Sequence, residues 1–168
     1  MSVFWIIPFA LLVSLAYASM SGAPWVPTWR KDIERIQGLL KLQPWEKCYE
    51  LGCGDARVTV ALARMTGAQV VGIELSAVQY LVARIRVALS RVATASVRFG
   101  NVFSKDLSDA DAIYLFLMPE TYAKLAPKFE RELRPGTRVA SYVWPIPGWE
   151  PVEVSEASDR LKIYLYRR

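Results

Sequence analysis

The sequence predicts an α/β domain built on a mostly parallel sheet with helices on both faces. Three observations carry this reading. Strand-like and helix-like segments alternate from residue 47 onward, a glycine-rich turn joins the first strand to the first helix that follows it, and residues 112–118 form an unbroken apolar run suited to a strand buried on both faces. Before the alternation begins, Ser21 to Pro27 reads as an extended connector, because each proline disfavours helix in the residue before it. Thr28 is placed to cap a helix whose apolar face is Ile33, Ile36, Leu39 and Leu40, closed by Pro44. Lys47 to Leu51 reads as the first strand, and the helix after it runs from Arg57 to Thr66 with Gly67 as its C-cap. Gln69 to Glu74 is a second strand. Ser76 opens a helix in which Val78, Leu81, Val82, Ile85 and Leu89 recur at helical spacing, the pattern of a buried face. Ala95 to Phe99 forms a third strand and Ala112 to Met118 a fourth. A helix from about Glu120 to Arg134 ends at Pro135-Gly136, and Thr137 to Val143 makes a fifth strand. Pro151 to Val154 and Leu161 to Tyr166 read as a closing antiparallel pair.

The chain has 168 residues, enough for one domain with a sizeable core. Hydrophobic residues make up 53%, and much of that excess lies in residues 1–20, which carry no charge. A helix of that length, at about 1.5 Å per residue, nearly spans a hydrocarbon core of roughly 30 Å. The expectation is therefore a membrane anchor over residues 1–21 and one domain over residues 22–168. Arg30 and Lys31, the first charges after the segment, place that domain on the cytoplasmic side. A cleaved signal peptide competes, since Ala16-Tyr17-Ala18 fits a cleavage site, but no basic region precedes the apolar stretch. The net charge of +5 is dispersed, without an arginine-rich tract or interleaved aromatic run, so nucleic acid is not the expected partner. Cys48 and Cys53 offer neither a disulfide framework nor a zinc pattern. The absence of histidine excludes histidine-based catalytic triads and most transition-metal sites, and no metal is expected.

The strongest chemical signal is Glu50-Leu51-Gly52-Cys53-Gly54-Asp55-Ala56, set between a strand and a helix. Glycine allows a sharp turn and close approach to a ligand. Glu74 ends the next strand, where a nucleotide-binding α/β fold places a carboxylate for ribose hydroxyls. A dinucleotide site would want a third glycine where Arg57 stands, so that a pyrophosphate could rest on the helix N-terminus. S-adenosylmethionine has no phosphate and carries positive charge on its ammonium and sulfonium groups, which Glu50 and Asp55 suit better.

With Ala56-Arg57-Val58 after it, this stretch resembles the first motif of class I methyltransferases. Trp25-Val26-Pro27-Thr28, Gly72-Ile73-Glu74-Leu75, Gly100-Asn101-Val102-Phe103, Phe129-Glu130-Arg131-Glu132-Leu133 and Pro147-Gly148-Trp149 resemble, more narrowly, the small protein-lysine methyltransferases that include the ATP synthase c-subunit lysine methyltransferase and its archaeal relatives. The likeness runs from about residue 25 to the C-terminus. Ala56 departs from it, standing where a glycine is common. Phe116-Leu117-Met118-Pro119 lacks the Asn-Pro-Pro-Tyr signature of methylation on DNA or glutamine, which leaves lysine open. The resemblance implies a Rossmann-like class I methyltransferase fold with a mostly parallel seven-stranded sheet, preceded by one transmembrane helix. It also implies that Glu50, Gly52 and Gly54 line the methionine and ribose side of the cofactor, that Glu74 holds the ribose and that Leu75 lies against the adenine. Asn101 would reach the adenine amino group with Val102 or Phe103 beside the ring, and Thr28 would cover the site. Helix capping by Thr28 and turn formation by Asn101 are equally open from the residues alone.

Methyl transfer to a neutral amine needs alignment and exclusion of water more than a strong base. Phe116, Met118, Pro119, Tyr142 and Trp144 lie at or just beyond the ends of the central strands, where α/β sheets place ligands, and could pack on a lysine stem; simple core packing is the alternative for Phe116. The expected activity is methylation of lysine on a protein substrate, membrane-embedded ones included. A methyltransferase acting on a small molecule or lipid, and a non-catalytic binding module, are the alternatives.

Overall fold

The structure is a computed structural model that describes residues 5, 8, 9 and 26–168. The chain forms α1 (Arg30–Leu40), β1 (Lys47–Leu51), α2 (Arg57–Thr66), β2 (Gln69–Glu74), α3 (Ala77–Ser90), β3 (Ala95–Phe99), β4 (Ala112–Leu115), α4 (Pro119–Glu132), β5 (Arg138–Tyr142), β6 (Glu153–Ser155) and β7 (Ile163–Arg167), with a 3₁₀ turn at Val102–Ser104. The strands make one seven-stranded sheet in the order β3-β2-β1-β4-β5-β7-β6. β1 to β5 run parallel, and β7 enters antiparallel between β5 and β6. This is the Rossmann-like arrangement of the methyltransferase fold, and the closing antiparallel pair expected from the tail is present.

Two apolar layers sandwich the sheet. On one face Ile33, Ile36, Leu39 and Leu40 of α1 and Val58 and Leu62 of α2 pack with Tyr114 and Tyr142. On the other, Tyr122, Leu125 and Phe129 of α4 pack with Leu51, Ile73, Ile113 and Leu115. The four residues of β4 are all buried, as their unbroken apolar character requires. Winding reverses between β1 and β4, which are neighbours although two strands separate them in the chain. Loops after these strands therefore splay apart and leave a crevice at their C-terminal ends, the place where open α/β sheets take their ligands.

Several sequence expectations need correction. The anchor expected at residues 1–21 lies largely outside the described residues, and among the described residues no helix is long and apolar enough to cross a membrane. The single-pass membrane placement with a cytoplasmic domain is accordingly not upheld: an uncharged stretch is a matter of composition, whereas a span needs about 20 residues of continuous helix. Thr28 does not cap α1. Trp29 holds the N-cap position and gives no side-chain bond, since an indole has no acceptor for the helix N–H groups, while the Thr28 hydroxyl is engaged with Tyr114. β4 stops at Leu115 rather than Met118, since Pro119 opens α4 at its first turn, a position that suits a residue lacking an N–H. Ser76 does cap α3, accepting from Gln79 N, but the apolar spacing of that helix does not mark a core face: Ala83 alone is buried.

Candidate active site

The loop after β1 is built by backbone geometry. Gly52, Gly54 and Ala56 all adopt positive φ, at 75°, 53° and 58°. Gly52 N and Cys53 N both donate to Ile73 O of β2, at 2.9 and 3.0 Å, which folds the loop over the sheet edge. A side chain at Gly52 would place its Cβ 2.6 Å from Leu117 Cδ2. The need for glycine here therefore comes from the left-handed backbone and from packing against the loop after β4. Ala56 meets the positive φ without a glycine, in the αL position that starts α2.

Three carboxylates converge on this loop. Glu74, buried at the end of β2, accepts from Gly54 N and Ser76 N, each at 2.8 Å. Burial raises its pKa against the lowering effect of backbone hydrogen bonds from Ser76, Gly54 and Leu75. Glu50, the fourth residue of β1, accepts from both the backbone N–H (2.7 Å) and the hydroxyl of Thr59 in α2. Burial pushes its pKa up to about 8, with the Thr59 bonds opposing. Asp55 behaves differently. Burial works against its ionisation, but the Arg57 hydrogen bonds and the charges of Arg57 and Arg86 outweigh it and hold its pKa low. Both cysteines are buried and free, burial drives both thiols up, and Cys53 lies in the wall of the cleft above the loop.

A cleft above the loop is lined by Val26, Pro27, Thr28, Glu50, Gly52, Gly54, Asp55 and Phe116. It brings together six of the residues singled out in the sequence: Thr28, Glu50, Gly52, Gly54, Asp55 and Phe116. Glu74 joins them through its bond to Gly54. Leu75 follows Glu74 directly and is half-buried. Asn101 comes two residues after β3, and its Oδ1 accepts from Phe103 N at 3.0 Å. That bond caps the turn carrying Val102 and Phe103, which pack on the core beside it. Asn101 therefore forms the turn at the sheet edge, one of the two roles open to it from the residues alone. Beyond β4, Met118 and Trp144 are exposed, Pro119 is partly so, and Tyr142 is fully buried. Tyr142 meets Phe116 edge to face at 4.8 Å between ring centres, so it supports the cleft wall from behind. The backbone turns at Val143, where φ is 75°, and presents Trp144 to the surface.

Sequence reasoning missed the residues that fasten these parts. Thr28 Oγ1 lies 2.7 Å from Tyr114 Oη, and Tyr142 Oη donates to Asp32 Oδ2 at 2.5 Å. Two tyrosines on adjacent strands thus pin the segment 26–32 across the cleft. Asp32 is fully buried and also receives Arg35 at 2.9 Å, while Arg35 donates to Ser155 O at 2.7 Å. The segment is thereby tied to the β6–β7 hairpin as well. Tyr122 Oη sits 3.3 Å from Leu117 N, Leu115 O and Tyr142 O, holding the loop after β4 in place. Only an isolated Asp in an otherwise apolar helix face hinted at Asp32; the tyrosine pairings left no local signal.

The residues present suit a cationic nucleoside. The glycine loop is framed by acids, and the guanidinium nearest it, Arg57, is already bound to Asp55.

Comparison with known proteins agrees with this geometry. Residues 50–153 match the family model of the ANTKMT methyltransferase domain. A protein-lysine N-methyltransferase of Saccharolobus islandicus is 36% identical over 153 residues, covering 85% of this chain and 92% of that protein. The human lysine N-methyltransferase of the ATP synthase c-subunit is 29% identical; the match covers 84% of this chain but 60% of that protein, so the chain spans less than two thirds of it. Among solved structures, an RNA methyltransferase from Salinibacter ruber in complex with S-adenosyl-L-homocysteine superposes with a TM-score of 0.81 at 31% identity, covering 84% of this chain and 93% of that one. With the glycine loop, the acidic strand end and the sheet order all in place, this chain belongs to the ANTKMT methyltransferase domain family.

Proposed function

We propose that this chain is a protein-lysine N-methyltransferase that takes its methyl group from S-adenosylmethionine, with residues 22–168 as its one catalytic domain. The observation that carries the reading is the Glu74 carboxylate at the end of β2, bonded to Gly54 N in the loop at the point where the sheet reverses its winding. A carboxylate at this place suits the two ribose hydroxyls of an adenosyl group. Leu75, Asn101, Val102 and Phe103 follow along the same sheet edge and are assigned to the adenine. Glu50, Gly52 and Gly54 are assigned to the methionine side, and Thr28 covers it.

When bound, the cofactor supplies a methyl group activated by its sulfonium. The chain must deliver a neutral lysine amine in line with that methyl. Phe116, Met118, Pro119 and Trp144, with Tyr142 behind Phe116, are assigned to the lysine stem. Burial of the lysine amine among such apolar side chains would disfavour the ammonium form and lower its pKa. Glu50, Gly52, Gly54 and Glu74 would hold the cofactor, and Phe116, Met118, Pro119 and Trp144 would orient the lysine amine toward its electrophilic methyl group. Glu50, which burial keeps protonated up to a pKa of about 8, would ionise more readily beside the cofactor's positive charge, and cover by the segment 26–32 keeps water from competing.

A second reading, transfer to RNA, is favoured by the Salinibacter ruber neighbour. One experiment separates the two. Cell extract is incubated with the chain and radiolabelled S-adenosylmethionine, and the macromolecular label is digested with protease or with ribonuclease. Loss of label to protease, with methylated lysine in the hydrolysate, is expected. Loss to ribonuclease alone would replace lysine by RNA as the acceptor.

A further inference from the structure

The helical spacing of apolar residues in α3 predicts a buried face, yet Leu81, Val82, Ile85 and Leu89 are 60%, 42%, 53% and 78% exposed. Isolated exposed side chains need no explanation, but a contiguous set on one helix marks an interaction surface. Val82, Ile85 and Leu89 form one wall of a groove of about 720 Å³, faced by Val60 and Met65 of α2. Ile33 and Glu34 of α1 lie at its side. Arg30, Arg57, Arg64 and Arg86 line the same groove against the single carboxylate of Glu34. Asp55 offsets part of that charge through Arg57 and Arg86, and the lining remains positive. The α3 segment itself contains no acidic residue.

Shape decides what fits. A groove between helices receives a convex rod, with apolar contacts along its floor and charge at its rim, which is how amphipathic helices dock. A bilayer surface is flat and would meet the α3 ridge while leaving the groove floor unfilled. The direction of the groove also matters. Arg57 lines both the groove and the glycine-loop cleft, so an object lying along α2 and α3 has one end beside the methyl donor.

We infer that the groove between α1, α2 and α3 is the docking site of the protein substrate, which lays into it a helix with an apolar stripe flanked by acidic side chains. This rests on the reading of the chain as a protein-lysine methyltransferase, and it separates recognition from chemistry: the apolar and acidic helix selects the substrate, and the cleft requires only a lysine.

The test uses the full chain and two synthetic helical peptides of about four turns, each with a leucine stripe and one lysine. One carries glutamate at its flanks and the other arginine. Fluorescence anisotropy reports binding, tritium transfer from S-adenosylmethionine reports methylation, and calorimetry reports cofactor affinity. The glutamate peptide is expected to bind and to be methylated. The double variant Ile85→Glu, Leu89→Glu should weaken that binding at least tenfold, and Arg64→Glu severalfold, with cofactor affinity unchanged in both. Both sites are at the surface, so the fold is retained. The inference is overturned if the double variant binds the peptide as tightly as the parent, or if the arginine peptide binds equally well. It is also overturned if anionic phosphatidylglycerol vesicles, and not the peptide, lose affinity for the variant, or if the variant's only change is loss of self-association. A parent chain that fails to bind S-adenosylmethionine would instead refute the methyltransferase reading itself.

Discussion

Glu74 is asked to do two things at once, and replacing it separates them. Alanine removes the acceptor of Gly54 N and Ser76 N, both held at 2.8 Å. Hydrogen bonds to a charged group contribute about 1.5–3 kcal/mol each, so the structural loss from the two is about 3–6 kcal/mol. For a domain of this size, with roughly 3 °C of Tm per kcal/mol, Glu74→Ala should melt about 10–20 °C lower by circular dichroism. Glutamine keeps one carbonyl oxygen and should recover about half of that. Calorimetry at about 10 °C, where both variants stay folded, should show S-adenosylmethionine binding at least tenfold weaker in each, equivalent to about 1.4 kcal/mol or more. A Glu74→Ala protein with parental Tm would mean that the carboxylate does not hold the loop. Parental affinity in both variants would refute the ribose assignment.

Three further outcomes are expected. Glu50 has a folded pKa of about 8 against an ordinary value of 4.5, so between those values the folded state holds a proton that the unfolded state has lost. Stability should fall as pH rises through that window, by up to about 5 kcal/mol from this group, and urea titrations of Glu50→Gln should lack that slope. Asp32→Ala strips the partner from Tyr142 and Arg35 and should cost about 3–5 kcal/mol in urea denaturation, whereas a loss under about 1 kcal/mol would mean that the network is idle. Gly52→Ala brings a Cβ to 2.6 Å from Leu117 at a φ of 75°, an overpacking and backbone cost of about 1–3 kcal/mol. In a double-mutant cycle, Leu117→Ala should relieve the packing part of it.

How legible the molecule is in its sequence depends on the range of the interaction concerned. Strands, turns and Ser76 as a cap are readable because each follows from residues within one or two turns of one another. The glycine loop and Glu74 are readable because a strand, a turn and the next strand fix their separation at 20 residues. The roles of Thr28 and Asp32 are not, since their partners Tyr114 and Tyr142 lie 86 and 110 residues away. Periodicity misleads at α3 for a different reason. Helical spacing of Leu81, Ile85 and Leu89 states that they share a face, and it is silent on whether that face meets this chain or another one.

The long reach of the two tyrosine pins has a consequence for biosynthesis. α1 leaves the ribosome well before β5, and at about 5–20 residues per second the 110 residues between Asp32 and Tyr142 represent about 5–20 s of translation. Through that interval Ile33, Ile36 and Leu39 have no sheet to cover them, so the nascent N-terminal helix is a natural client for a chaperone. The roof over the cleft closes only once Tyr142 has emerged. A polypeptide stalled before that point would carry the glycine loop, Glu74 and the Thr28–Tyr114 bond, yet it would lack the Tyr142–Asp32 bond that fastens α1 behind the cover.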